Sequence, residues 1–355
     1  MACRWALGAL YLLAFLLSGL ASNVSAALYN AAPYPLALAG LFIALYVGYD
    51  LVSLPLGLYG GYVLPHRFGL SVQSLPAWLA DSTKGTALGA GFGLVLVEAL
   101  YWLMAALPDW WWLAASGGTV VVSIVLANLA PVLLVPIFYH LRPLEDQDQA
   151  EALRRLAERA GTRVQGVYAI ELSRKTRAAN AALMGLGNTR RIVLGDTLLR
   201  GFEKREIEVV FAHELGHYVH GDVWRLLGLQ SLSVAASLYL SQLVLLKGAA
   251  SFGFRGATDI ATLPLLALAV GLLSLLGMPL LNAASRFLEE SADEYALETT
   301  DDPTAFRSAM ERLADLNLAE REPDRWVTLL LYDHPPIGDR MRHAGEYAGR
   351  RRARP

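Results

Sequence analysis

The chain has 355 residues, 55% of them hydrophobic and only 17% charged. Water-soluble domains carry about 25% charged residues, so the composition argues against a soluble protein and for a membrane one. A formal net charge of −2 supplies no basic surface for nucleic acid, and a single cysteine, Cys3, excludes an internal disulfide and a cysteine-built metal site.

A hydrocarbon core about 30 Å thick takes roughly 20 apolar helical residues to cross. Six stretches answer to that length or nearly so: 5–21, 36–64, 86–107, 110–138, 226–246 and 261–284. The first, in "MACRWALGALYLLAFLLSGLASNVSA", has the basic start, apolar run and small residues that a cleavable signal peptide also shows. The further spans that follow at once favour a retained span. The second and third contain Asp50 and Glu98. Carboxylates at membrane depth face protein or water, or reach the interface from a span end. The fourth has no charge and opens on Trp110, Trp111 and Trp112, suited to the headgroup level.

Two polar blocks interrupt the spans. In 139–225, "EDQDQAEALRRLAERAG" predicts an amphipathic helix stopped by Gly161, and "VQGVYAIEL" and "RRIVLGD" predict strands. Between them "AANAALMGLGNT" carries turn signals near its end, and a further helix starts at about Lys204. The second block, 285–355, is expected to be helical to about Leu318, then looped, with a final short helix. The domain division is therefore 1–138, an N-terminal transmembrane region of four spans; 139–225; 226–284, two more spans; and 285–355. With the N-terminus inside and six crossings, 28 of the 30 Lys and Arg residues fall on inside segments, all but Lys247 and Arg255. This bias predicts a multi-pass protein with both termini and 139–225 on the cytoplasmic side.

Chemistry is concentrated in "VVFAHELGHYVHGD", residues 209–222. Random order of this composition gives about 0.007 matches to H-E-x-x-H, so chance is a poor explanation. Residues four apart share a helix face, so His213 and His217 can offer two imidazole nitrogens to one zinc ion. Glu214 stands where a general base belongs, taking a proton from the attacking water and passing it to the leaving amine. His220 reads as an interfacial histidine at the helix end. A catalytic zinc takes a third protein ligand. In "SRFLEESADEYAL" the pairs Glu289/Asp293 and Glu290/Glu294 each share a face, so a ligand and a carboxylate behind a zinc histidine could come from either.

From about Leu54 to His343 the chain resembles the type I CAAX prenyl endopeptidases, integral-membrane zinc metallopeptidases. The matching stretches are "HRFGLSVQSLPAWLADSTKG", "RPLEDQDQAEAL", "NAALMGLGNTRRIVLGDTLL", "HELGHYVHGD", "SRFLEESADEYA" and "DHPPIGDRM". The family pattern Ser-Arg, two residues, Glu, three residues, Asp falls on Ser285, Arg286, Glu289 and Asp293. The resemblance thus implies Glu289 as third ligand and Asp293 behind a zinc histidine. It implies that His334, Pro335, Pro336 and Arg340 line the cleft, with His334 and Arg340 in catalytic roles and His334 a donor to the tetrahedral oxyanion. Asn180, in the strand before "RRIVLGD", matches an asparagine beside the bound peptide, which would pair as an extra strand. The family encloses a water-filled chamber, a wet wall that Asp50 and Glu98 could face. Differences are Ala178 in place of a common histidine, Glu290 and Glu294 at usually apolar positions, and six spans where eukaryotic members commonly have seven.

The expectation is a mainly α, polytopic membrane protein, with about six transmembrane helices around a chamber and a cytoplasmic-face zinc metallopeptidase domain containing a small β-sheet. It would hold one Zn²⁺ and hydrolyse lipidated or membrane-associated peptides, with the lipid bilayer and peptide as its partners. A heat-shock quality-control membrane metalloprotease shares the zinc core, but the long N-terminal membrane region and "RRIVLGDTLL" argue against it. A non-catalytic membrane scaffold retaining a zinc site is the reading from outside enzymology.

Overall fold

The computed structural model describes residues 2–353. Helix α1 (Ala2–Leu17) and helix α2 (Leu20–Ala31) meet at a 67° bend, where Gly19 takes a left-handed φ of 75°. The first apolar stretch is therefore not one straight span: 16 helical residues reach only about 24 Å at 1.5 Å each. Helix α3 (Tyr34–Leu58) starts behind Pro33 and continues through a π turn (Tyr59–Val63) to Arg67. Pro55 removes one backbone donor just before that turn. Helix α4 covers Leu75–Ala106; helix α5 (Trp111–Leu129) passes through a second π turn, at Pro131, and ends at Phe138.

Helices α9 (Asp222–Ser251) and α10 (Leu263–Thr300) complete the long apolar set. Five helices among the described residues are long and apolar enough to cross a membrane, and the bent α1–α2 pair makes six only if it counts as one span. The chain is an integral, multi-pass membrane protein with a mainly helical fold.

The chain forms two compact units. The first, taking its residues up to Leu64, Ser74–Val121 and Gln230–Gly277, is helical. It buries Leu38, Leu41, Tyr101, Met104 and Trp111. Two of its hydroxyls tie distant segments together. Tyr101 Oη lies 2.8 Å from Thr262 Oγ1, and Tyr34 Oη donates to the Thr258 carbonyl at 2.7 Å.

The second unit takes Pro65–Gln73, Val122–Leu229 and the chain from Met278. Its sheet has strands β1 (Leu141–Pro143), β2 (Val167–Ile170), β3 (Ala181–Met184) and β4 (Arg191–Gly195), in the order β1-β2-β4-β3. β2 and β4 are parallel; the other pairings are antiparallel, and β3 is an edge. Composition pointed to two strands only. The three-residue piece ending in Pro143 carries no strand signal, and the alanine-rich β3 is marked as a strand by the resemblance alone; both are weak strand formers.

Helix α6 (Gln147–Arg159) starts on the Asp146 side chain, which accepts from the Gln149 N–H at 3.0 Å, and ends before Gly161, whose φ is 72°. Helices α7 (Asp196–Gly201) and α8 (Lys204–His220) follow β4. Helix α8 opens with a capping box in which the wholly buried Glu206 accepts from the Glu203 N–H at 2.7 Å. Glu206 also pairs with Arg312 Nε at 3.1 Å, fastening α8 to helix α11 (Pro303–Asn317). Helix α12 (Arg325–Leu331) and helix α13 (Ile337–Arg352) close the chain, the last one longer than the short helix expected. Leu153, Ile192, Leu194, Phe211, Leu215 and Phe306 form this unit's core.

Candidate metal centre

Helix α8 supplies His213 and His217 one turn apart, with ring centroids 4.8 Å from each other. Helix α10 supplies Glu289. Its Oε2 lies 3.2 Å from His213 Nε2, and its Oε1 lies 3.2 Å from His217 Nε2. The two helices approach this closely because residue 216 is glycine: a Cβ there would sit 2.9 Å from Ala292 Cα. The geometry also separates the two acidic pairs. Glu289 and Asp293 turn to the histidines, while Glu290 is exposed and Glu294 pairs with His343 and Arg350.

Each histidine is held from behind. Asp293, almost fully buried, takes the Nδ1–H of His213 at 2.8 Å. Asp222, equally buried, takes that of His217 at 3.0 Å. Both rings then turn an Nε2 lone pair towards Glu289, so acceptor faces acceptor across 3.2 Å. Glu289 Oε2 is buried without a hydrogen-bond donor. Such an arrangement calls for a positive charge at its centre. The donor atoms of His213, His217 and Glu289 lie within 4.8 Å of one another, so the three residues fit a metal ion.

Asp222 carried no signal of its own in the sequence. Gly221 ends α8 in the left-handed region, φ 69°, and this turn brings Asp222, the first residue of α9, back beneath His217. Asp222→Ala leaves the Nδ1–H of His217 without its carboxylate. Metal affinity is expected to fall about 10–100-fold, read by competition with a chromogenic chelator. Wild-type affinity in that variant would take Asp222 out of the site.

The other sequence candidates fall into three places. Glu214, next to His213 on α8, is partly exposed and adds a negative charge near Arg340. His334 lies in the loop between α12 and α13, half-exposed, with Nε2 3.2 Å from Glu289 Oε1 and Nδ1 2.9 Å from Asp333 Oδ1. Arg340, expected to line the cleft, is 8% exposed and grips Asp293, with Nε 2.8 Å from Oδ2 and Nη2 2.5 Å from Oδ1. Its Nη2 also lies 3.3 Å from His213 Nδ1, but Asp293 Oδ1 accepts from both nitrogens, so they are neighbouring donors and not partners. Arg340 thus stands behind the carboxylate that holds His213. Asn180 is exposed and sits one residue before β3, its carbonyl accepting from the Gly195 N–H at 2.8 Å. His220 packs edge-on against Tyr295, ring centroids 5.8 Å apart, outside the ligand group.

Arg286, quoted above only as part of a pattern, has a visible task. One turn before Glu289 on α10, its guanidinium donates to the Thr328 and Tyr332 carbonyls at 3.0 and 2.5 Å, and Asn282 donates to the Leu330 carbonyl at 2.9 Å. These are the carbonyls at the C-terminal end of α12, where a cation is favoured. The tie holds the segment leading to His334 against the helix that carries Glu289.

Comparison with known proteins agrees with this geometry. Residues 143–348 match peptidase family M48, and residues 3–140 match the CAAX prenyl protease N-terminal region, described as five membrane helices. A Bacillus subtilis protein called uncharacterized metalloprotease YhfN is 31% identical over 336 residues, covering 93% of this chain and 78% of that protein. A CAAX prenyl protease 1 homolog of Arabidopsis thaliana is 28% identical over 299 residues, covering 82% of this chain and 70% of the other. The crystal structure of S. mikatae Ste24p has the same fold, with a TM-score of 0.79 and 24% identity over 88% of this chain and 76% of that one.

Proposed function

The chain belongs to peptidase family M48, and from that premise we propose that it is a zinc endopeptidase that cuts membrane-associated peptides, prenylated C-termini among them. Membrane metalloendopeptidase activity follows from the family itself. The observation that carries the finer reading is the convergence of His213, His217 and Glu289 with carboxylates behind both imidazoles, a nitrogen and oxygen donor set suited to zinc. When bound, zinc supplies a Lewis acid that makes water nucleophilic near neutral pH.

The protein's own groups supply the rest. Asp293 and Asp222 hold the imidazoles in the ligating tautomer. Glu214 takes the proton of the attacking water and delivers it to the leaving amine nitrogen. His334, at the exposed side of Glu289, donates to the oxyanion, and Arg340 keeps Asp293 in place. The peptide lies extended along β3, beginning beside Asn180.

Prenylated peptides are favoured as substrates because the whole 3–140 region matches that of the CAAX prenyl proteases, and because relatives bear that name. The same match sets the chain apart from the quality-control reading. The helices of the first unit are proposed to enclose a wet chamber, where Asp50 accepts from Thr86 at 3.4 Å. The Lys and Arg bias supports a metal site on the cytoplasmic side, with 1–138 and 226–284 serving the membrane and 139–225 and 285–355 serving the chemistry.

Two peptides of one sequence, one S-farnesylated on a cysteine near its C-terminus and one with that thiol capped by a methyl group, separate the substrate classes. The purified full chain in lipid vesicles is expected to cut the farnesylated peptide with a clearly higher kcat/KM. Equal rates on the two would leave a membrane endopeptidase without prenyl preference.

A further inference from the structure

The edge of the sheet at β3 is open over a short and defined length. The Asn180 carbonyl bonds the Gly195 N–H, which fixes the antiparallel register, Ala181 opposite Leu194 and Leu183 opposite Ile192. Alternation then turns Asn180, Ala182 and Met184 towards β4, while the N–H and C=O groups of Ala179, Ala181 and Leu183 point outward. Ala178 obeys the same alternation, its inward carbonyl accepting from Thr197 Oγ1 at 2.7 Å.

The outward groups are not treated alike. Further upstream, Lys175 and Arg177 are bonded to the segment Leu70–Val72, from Val72 N–H to the Lys175 carbonyl at 3.1 Å and from Arg177 N–H to the Leu70 carbonyl at 2.9 Å. At Ala179 both groups are taken by one side chain. Asn317 Oδ1 accepts from the Ala179 N–H at 2.9 Å, and Asn317 Nδ2 donates to the Ala179 carbonyl at 3.2 Å. A carboxamide is a peptide group in miniature, so Asn317 takes the place of one residue of a neighbouring strand. Downstream, Gly185 leaves the strand at φ 89° for a turn in which the Leu186 N–H bonds Thr189 Oγ1. The described residues offer no partner to the outward groups of Ala181 and Leu183.

We infer that Asn317 is a specificity-determining residue: by filling Ala179 it ends the open edge, and so fixes the register in which an extended peptide pairs with Ala181 and Leu183. The inference rests on the peptidase reading above. Side chains along a strand keep their faces only when the strand slides by two residues. With Ala179 filled, a peptide that slid towards it would meet Asn317 and not a free backbone. Asn317 lies at the end of α11 and approaches no metal ligand, so it acts through the substrate's position alone.

The test is product mapping on a farnesylated peptide in which Ala and Val alternate around the cut, so that neighbouring bonds are chemically alike and cut position reports register. Wild type is expected to give one main cut. Asn317→Ala is expected to keep that cut and add others two residues away. Asn317→Asp keeps the acceptor for the Ala179 N–H but frees the Ala179 carbonyl, and is expected to give the same displaced cuts at a lower share. Unchanged cut positions in folded, metal-replete Asn317→Ala would overturn the inference. Should that variant not fold, unchanged positions in Asn317→Asp would overturn it. Absence of any cleavage by wild type would instead remove the peptidase reading, and the register with it.

Discussion

Glu214→Gln is expected to keep its metal and lose its turnover. The substitution preserves size and helix propensity on α8 but removes the ability to accept a proton. The ligand atoms of His213, His217 and Glu289 are untouched, as are Asp293 and Asp222 behind them. General base catalysis contributes roughly 10²–10⁴-fold, so cleavage should fall by at least about that factor. Because β3 and Asn317 are intact, peptide affinity should stay close to wild type. Zinc content, affinity and turnover are to be measured on one preparation. Near-normal turnover with zinc in place would require another base.

Glu289→Ala should lose metal and activity together. Among the described residues Glu289 alone brings a carboxylate to both Nε2 atoms, at 3.2 Å from each, and its removal leaves two imidazoles to hold the ion. It also removes the group facing His334 Nε2. His213→Ala should have the same outcome by a different route, since Asp293 and Arg340 then keep their mutual pairing with no imidazole to orient. Mass spectrometry of the metal in the purified variants reads the difference. Full occupancy in Glu289→Ala would move the ligand role elsewhere on α10.

What could be read from the sequence follows the range of the interactions involved. His213, Glu214 and His217 lie within one helical turn, so local spacing sufficed. Glu289 could not be told from Glu290 by spacing, because both have an acidic partner four residues on. Only the meeting of α8 with α10, at Gly216 against Ala292, distinguishes them in space. The resemblance points to Glu289, and Glu289 is the one of the two whose oxygens face both imidazoles. Asp222 was within the quoted motif, yet its place depends on the left-handed turn at Gly221, which a pattern of residue types does not display. Arg340 was expected at the cleft and lies buried against Asp293, since a string of letters does not say on which side of a ligand shell a long side chain ends.

The membrane region shows the same division. Hydropathy alone located the five long apolar helices, three before the first polar block and two after it, because each is built on a long apolar run. It read 5–21 as one more span, whereas the chain bends by 67° at Gly19 and carries on as α2. The glycine was visible, but a left-handed φ was not. Asn317 is the extreme case: its two bonds reach across 138 positions to a backbone whose outward direction is set by the register of β3 on β4.

Hydrolysis is proposed to depend on a metal held by His213, His217 and Glu289. The most direct measurement follows zinc content and cleavage of the farnesylated peptide together, on the purified full chain, through chelation and then stepwise addition of zinc. One zinc per chain, activity lost with the metal, and activity restored in proportion to zinc up to one equivalent are the predicted results. Undiminished cleavage by a preparation free of metal would mean that the peptide bond is cut without a metal at His213, His217 and Glu289.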